Sequence, residues 1–426
     1  MPGCRYRTGP GHEGLLMTSK DELVVILDAP ELGPTRPVGV LTRWSGGALS
    51  VAFQYASSWL RAERGSFAID PTLPLATHLV TVPERRLPGI LADTSPDKWG
   101  EALLRRREGR DLDDWGLLVG VADETRMGAL RLRRGIDGPL VSDRDPSVPP
   151  ITSLRALQVA VQRFEEDPDA PGTDPVIAPL IVPGSSLGGA RPKANYRAPD
   201  GGLWIAKFPS KTDRRDVGAW EQVYTRLAAA AGIAVPETTL LRLGDQGRTF
   251  ATRRFDRTAV GRRLYASALT LCGRTTTEDA DYADIAEAIA TNVAPTFVRT
   301  DLEQAYRRMV FNVLASNGDD HLRNHGFLRA AQGWRLAPAF DMNPVREMRE
   351  HATTVNGRNF GITEDDVLAE RAAFGLSARD ARAIVSDVAG KLGSWRELAR
   401  KLSIGRHEQD LVSPAFALLG TLKVVR

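Results

Sequence analysis

Only two cysteines, Cys4 and Cys272, occur in 426 residues. Two thiols build no disulfide framework, and without C-x-x-C spacing they mark no structural zinc site, so both read as free, with Cys272 buried. Charge of one sign is just as scarce. Lys+Arg 56 against Asp+Glu 53 leaves a net charge of +3, too even a balance for a surface that coats nucleic acid, so any DNA contact would be local. No apolar run approaches the roughly 18 residues that span a bilayer, and the opening M-P-G-C-R-Y-R-T-G-P-G-H-E-G has no apolar signal region. A cytoplasmic protein without membrane contact is expected. No internal repeat or low-complexity tract is visible.

A hydrophobic content of 42% supports well-packed cores, and the length suits two or three domains. The runs E-L-V-V-I-L-D from Glu22, P-V-G-V-L-T-R and A-L-S-V-A-F, separated by Pro and Gly, predict a small opening sheet. Residues Ser95 to Gly109 predict a helix over it, with Ser95 as cap, Pro96 at the first position, Trp99, Ala102 and Leu103 on one side and Gly109 as the stop. S-D-R-D-P-S-V-P-P before residue 150 reads as a linker, and D-P-D-A-P-G-T-D from Asp167 as a second loop, with a helix between them. Next come strand, loop, strand, helix, strand and strand through V-I-A-P-L-I-V, S-S-L-G-G-A-R-P-K, L-W-I-A-K-F-P, A-W-E-Q-V-Y-T-R-L-A-A-A-A-G, T-T-L-L-R-L and R-T-F-A-T-R-R-F-D-R. From about Asp279 helical patterns dominate.

Phosphoryl transfer needs a phosphate cradle, a lysine on the phosphates, a carboxylate beside the acceptor hydroxyl and ligands for magnesium. The chain offers one candidate for each, in that order. Ser185 to Lys193 holds paired glycines that can turn backbone N–H groups toward an anion, with Lys193 adding charge. Lys207 sits in an apolar strand that would rarely tolerate an unpaired ammonium. In N-G-D-D-H-L-R-N-H-G-F, Asp319 and Asn324 stand at the D-x-x-x-x-N interval of a kinase catalytic loop, with His321 as a supporting hydrogen-bonding group. Asp341 follows a predicted hairpin as a second metal carboxylate, and such hard oxygen ligands suit Mg²⁺.

Blander meanings exist for each member. The glycine stretch can be an ordinary turn, Lys207 can snorkel from an edge strand, Asp341 can cap a turn, and Asp319 can be an N-cap. The ordered set is much less probable by chance than its members. A metal hydrolase fails because H-L-R-N-H places Leu where the general base of H-E-x-x-H belongs and Gly326 would end the helix. The arginine-rich R-R-R-E-G-R and R-R-F-D-R read as solvated faces before they read as DNA contacts.

With these motifs in hand, the sequence resembles the HipA family of bacterial toxin-type serine/threonine kinases over almost its full length. The small-sheet region with S-V-A-F-Q-Y-A-S-S-W-L, S-P-D-K-W-G, the glycine stretch, W-I-A-K-F-P, R-R-F-D-R, N-G-D-D-H-L-R-N-H-G-F and L-A-P-A-F-D carry the likeness. It implies an α+β, two-lobed protein-kinase-like fold related to the phosphoinositide kinases, with an added N-terminal subdomain (1–150), an N-lobe (151–258) and an all-helical C-lobe (259–426). ATP would lie between the lobes. Carried over residue by residue, the resemblance makes Asp319 the catalytic base, Asn324 and Asp341 the Mg²⁺ ligands and Lys207 the phosphate contact. His321 joins the catalytic loop, Gly188, Gly189, Ala190, Arg191, Pro192 and Lys193 form the phosphate-side loop, and Phe340 precedes Asp341 at the nucleotide. Arg253, Arg254 and Phe255 would form the adenine hinge, with Asp256 near the ribose. Arg253 stands where a familiar member has an acidic residue, and no H-R-D or D-F-G triplet is present.

The resemblance further implies inhibitory autophosphorylation at Ser186 or the adjacent Ser185, where a phosphate would bring about two negative charges into the nucleotide site. Its partners would be a HipB-like helix-turn-helix antitoxin, operator DNA through that antitoxin, and an aminoacyl-tRNA synthetase substrate, glutamyl-tRNA synthetase first. A small-molecule phosphotransferase of the aminoglycoside-kinase kind and a catalytically silent nucleotide- or partner-binding component of a repressor complex are the alternatives.

Overall fold

The computed structural model describes residues 19–45, 50–62, 65–82, 87–143, 148–167, 190–344 and 350–423. Strands β1 (Ser19–Leu27), β2 (Arg36–Ser45), β3 (Ser50–Tyr55), β4 (Val80–Thr81) and β5 (Leu130–Arg133) pair antiparallel in the order β4-β3-β2-β1-β5, which is the expected opening sheet. Alternation selects its inner face, because successive strand side chains point to opposite sides. Leu23, Val25 and Leu27 of β1 and Leu41 of β2 enter the core.

Helices α1 (Ser57–Leu60), α2 (Gly89–Ala92), α3 (Lys98–Glu108) and α4 (Asp114–Gly120) lie between β3 and β5. Trp59, Ile90, Leu91 and Trp115 from α1, α2 and α4 join the same core, each such burial stabilising by about 1.5–3 kcal/mol. Gly109 stops α3 in the left-handed region at φ 63°, as the sequence predicts. Its start is corrected. Asp97 rather than Ser95 is the cap, accepting from Gly100 N at 2.7 Å, because the helix begins only at Lys98 and Ser95 N still closes the preceding turn on Ala92 O at 3.0 Å.

The next layer is built on α5 (Leu154–Glu166) and a second antiparallel sheet, β6 (Lys193–Arg197), β7 (Leu203–Lys207), β8 (Thr238–Leu241) and β9 (Thr249–Arg253), in the order β6-β7-β9-β8. One face is closed by Trp99 and Leu103 of α3 and by Leu157, Val161 and Phe164 of α5, packed on Ala194, Tyr196, Trp204, Ala206 and Ala251. By alternation the opposite face presents Lys193, Ile205, Lys207, Phe250 and Thr252. Helix α6 (Val217–Ala230) follows β7, capped by Asp216, which accepts from Ala219 N at 3.0 Å. The strand read at V-I-A-P-L-I-V lies outside the described residues.

The remainder is mostly helical: α7 (Ala268–Leu271), α8 (Tyr282–Asn292), α9 (Val298–Leu314), α10 (Glu364–Glu370), α11 (Ala378–Leu392), α12 (Trp395–Lys401) and α13 (Arg406–Val412). The expected all-helical lobe is refined by short strands. After the hairpin β10 (Arg257–Thr258) and β11 (Gly261–Arg262), strand β12 (Tyr265–Ser267) pairs with β14 (Gly326–Ala330), which pairs with β15 (Gly333–Leu336). Strand β13 (Ala280–Asp281) pairs with β16 (Glu350–Val355), which pairs with β17 (Arg358–Phe360). Cys272 after α7 is only partly buried, its Sγ donates to Asp284 O at 3.4 Å, and burial pushes the thiol up to about 12.

Candidate active site

Pairing of β6 with β7 sets Lys193 directly opposite Lys207. Two ammonium groups side by side on one sheet face repel, and each is held by carboxylates from elsewhere. Lys207 forms ion pairs with Glu221 of α6 and with Asp341. Lys193 pairs with Asp97 at 2.5 Å, with side-chain exposures of 3% and 5%, and its carbonyl accepts from Trp99 Nε1 at 3.0 Å. Burial opposes the charge on Lys207, but Asp341 and Glu221 outweigh it and raise its pKa. Burial likewise opposes the Asp341 carboxylate, and Lys207 reverses the balance, so Asp341 stays below the usual carboxylate range while Glu221 is raised by its burial. The Lys207–Asp341 pair is therefore charged.

Asp341 adopts φ 58°, in the left-handed region. It follows the β14–β15 hairpin predicted from the sequence.

The catalytic-loop candidate leaves the end of α9. Its adjacent carboxylates part company: Asp319 is exposed and Asp320 buried. Asp320 accepts from the Tyr282 hydroxyl and pairs with His325 at 3.0 Å. Strand β16 braces the loop, Thr353 Oγ1 donating to Asp320 O at 2.5 Å and Ala352 N to Gly318 O at 2.8 Å. Asn324 Nδ2 donates to Asp319 O at 2.8 Å, fixing the side chain so that Oδ1 is buried with no partner. His321 Nδ1 is also unpartnered. The Asp319 pKa is raised, first by partial desolvation of its carboxyl against the loop and then by Asp341 and Asp320, with His321 pulling it down.

These residues meet the requirements of a magnesium site only in part. An orphaned buried oxygen on Asn324 and the carboxylate of Asp341 are hard donors. Among the described residues no group of three or more His, Cys, Asp and Glu side chains converges to hold a metal. The donor set fits Mg²⁺ when nucleotide phosphates complete it, which is how this ion is usually held.

Between the sheet face and Asp341 opens a cleft of about 610 Å³, its mouth included, lined by Met127, Ile205, Phe250, Phe255 and Phe340 beside Lys193, Lys207, Glu221 and Asp341. Arg253, Arg254 and Asp256 also line it. The Arg253 guanidinium reaches Asp200 at 3.0 Å and Glu237 at 3.2 Å.

Asp256, expected near the ribose, lines the cleft with its carboxylate engaged by protein donors. Both its oxygens are taken, Oδ1 by Arg254 Nε at 2.8 Å and Oδ2 by Arg254 Nη2 at 2.7 Å, Arg257 Nη1 at 2.5 Å and Gly128 N at 2.8 Å. Burial opposes its charge, and the two arginines override it and depress the pKa.

The phosphate-side stretch is seen from Ala190 onward. Arg191 pairs with Asp213 at 2.6 Å, Pro192 O accepts from Phe208 N at 2.9 Å, and Lys193 begins a strand rather than ending a loop. Gly188, Gly189, Ser185 and Ser186 lie outside the described residues. Sequence reasoning missed Glu221, Asp97 and Met127. Glu221 was visible as the lone acid inside A-W-E-Q-V-Y, and Asp97 sat unused in S-P-D-K-W-G.

Comparison with known proteins agrees with this arrangement. The HipA-like C-terminal domain matches residues 185–395 and the HipA N-terminal domain matches residues 33–133. The chain belongs to the HipA family. A solved HipA of Shewanella oneidensis MR-1, in complex with HipB and its operator DNA, is 18% identical with a TM-score of 0.69, covering 93% of this chain and 95% of that one. At that identity it shows the fold, the two-lobed α+β architecture described above. A curated relative, "Putative kinase Y4dM" of Sinorhizobium fredii, is 29% identical over 205 residues, 45% of this chain. The match spans 44% of that relative's length. The proinflammatory kinase CtkA of Helicobacter pylori is 17% identical over 56% of this chain and 95% of that one, with a TM-score of 0.35. Among the described residues no helix is long and apolar enough to cross a membrane.

Proposed function

We propose that the chain is an ATP- and Mg²⁺-dependent serine/threonine protein kinase, the toxin of a toxin-antitoxin pair that works in the cytoplasm. The observation that carries this reading is Lys207 bound between Glu221 and Asp341 on the floor of the cleft. A strand lysine held by a helix glutamate, beside an aspartate that would bind metal, is the arrangement protein kinases use for phosphoryl transfer. Lys207 and Lys193 orient the phosphates. Asn324 and Asp341 would hold Mg²⁺, which supplies neutralisation of the charge on the transferred group. Asp319 accepts the acceptor hydroxyl's proton as the new O–P bond forms and the bond to the leaving diphosphate oxygen breaks, its pKa raised from the ordinary carboxylate value mainly by partial burial.

Its regulation would be autophosphorylation at Ser186 or Ser185. Its partners would be a HipB-like antitoxin, which links it to operator DNA, and an aminoacyl-tRNA synthetase, with glutamyl-tRNA synthetase as first substrate. Intact-mass spectrometry after Mg·ATP, beside Asp319→Ala, tests this. One phosphate on Ser185 or Ser186 in the wild type alone is expected, with transfer to the synthetase and none to aminoglycosides. Transfer to aminoglycosides instead would make it a small-molecule phosphotransferase, and nucleotide binding without any transfer would make it a silent partner of the repressor complex.

A further inference from the structure

The N-terminal domain reaches the cleft through one short segment. Asp97, the cap of α3, holds Lys193 of the nucleotide-lobe sheet at 2.5 Å. Four residues earlier, Asp93 accepts from Ser267 N and Ser267 Oγ at 2.7 Å and from Thr270 Oγ1 at 2.7 Å, and it stands 3.7 Å from Arg323 of the catalytic loop. The segment thus grips both lobes. Its Trp99 packs into the sheet's outer core while donating to Lys193 O. Met127 of the same domain lines the cleft.

Helix capping alone does not account for Asp97. Capping uses one oxygen, Oδ1, on Gly100 N, and the other, Oδ2, is spent on Lys193. That carboxylate meets an ammonium pair, because Lys193 stands directly opposite Lys207 across the β6–β7 ladder. Lys207 has Glu221 and Asp341, both from the kinase lobes, whereas Asp97 brings Lys193 a carboxylate from the N-terminal domain.

Resting on the kinase reading, we propose that Asp97 is a positioning residue of the nucleotide site: it aims Lys193 at the phosphates of bound ATP, so that the N-terminal domain completes the site. The side chain does not touch nucleotide; it acts through Lys193. Adenosine, which has no phosphate, is bound without its help.

The test is a double-mutant cycle in the full chain, with Asp97→Asn, Lys193→Met and both together. Dissociation constants for Mg·ATP and for adenosine are measured by calorimetry beside thermal unfolding. Asparagine keeps the cap and removes the charge. Asp97→Asn should weaken Mg·ATP binding roughly tenfold, as for loss of a charged hydrogen bond, and leave adenosine unchanged. In the Lys193→Met background it should add nothing for Mg·ATP. The double variant, lacking both charges, guards against a folding artefact, since it leaves no unpaired buried ion. Losses that multiply, ATP binding unchanged by Lys193→Met, or parallel losses for ATP and adenosine would each overturn the proposal. A wild type that binds no ATP at all would instead overturn the kinase reading.

Discussion

Two buried charge clusters flank the cleft, and they are built on opposite principles. At the hinge, Asp256 and Asp123 are surrounded by Arg254, Arg257, Arg262 and Arg131, and every carboxylate oxygen has at least one donor. The atoms without partners there are donors, Arg126 Nε and Arg262 Nη1. At the floor of the cleft the unpartnered atoms include acceptors, Glu221 Oε2 and Asn324 Oδ1. An excess of donors around satisfied acids locks two domains together, whereas spare buried acceptors cost free energy unless something cationic or protic uses them. Saturation marks the scaffold, and unsatisfied oxygen marks the site.

Substitutions at the two clusters should therefore fail in different ways. The largest effect belongs to Asp341→Asn. Loss of a metal carboxylate costs several kcal/mol in the transition state, so phosphate incorporation from labelled ATP should drop roughly 10³-fold or more while the melting temperature holds. Residual transfer within tenfold of wild type would remove Asp341 from the chemistry. Next comes Asp256→Asn, which strands buried arginines and should lower unfolding stability by about 3 kcal/mol, read by denaturant titration.

That second effect carries a pH signature. The folded pKa of Asp256 is depressed, so its stabilisation is present above the unfolded value of about 3.9 and fades as the pH falls through the folded one. The stability gap between wild type and variant should close as the solution is acidified below about pH 4; a gap that widens would contradict the assignment.

Glu221→Gln should be milder, slowing transfer roughly tenfold because Lys207 keeps Asp341 but loses its helix anchor. An unchanged rate would make Glu221 part of the scaffold instead. Smallest is Arg253→Ala. Its exposed pairs with Asp200 and Glu237 are worth under about 1 kcal/mol, and ATP affinity should move less than about threefold. A loss of tenfold or more, seen by calorimetry, would show that this side chain reads the base.

Much of the comparison is legible in the amino-acid sequence alone. Lys207 stood out as an ammonium in an apolar strand, and Asp341 as a carboxylate after a hairpin; the fold joins them. What stayed hidden was orientation and distance. The interval between Asp319 and Asn324 fixes which residues share a loop, but not that Asp320 turns inward to Tyr282 and His325. A motif likewise places Asp256 at the hinge without revealing that Arg254 and Arg257 consume its oxygens. Asp97 and Lys193 meet across 96 positions of sequence, a separation no local pattern reports. The strands β12 to β17 are brief and owe their existence to partners far along the chain, so periodicity could not find them.

Asp341 sits at φ 58°, and this one angle subjects the position to two independent filters. Backbone geometry of that kind costs most residues about 1–2 kcal/mol and spares glycine and, in good part, asparagine and aspartate. Phosphoryl transfer asks for a carboxylate, which of those three only aspartate has. A saturation library scored first for soluble expression and then for transfer should retain Asp, Asn and Gly in the first pass and Asp alone in the second. Glutamate has the charge but fails the geometry, so the nearest chemical neighbour is not the nearest tolerated one.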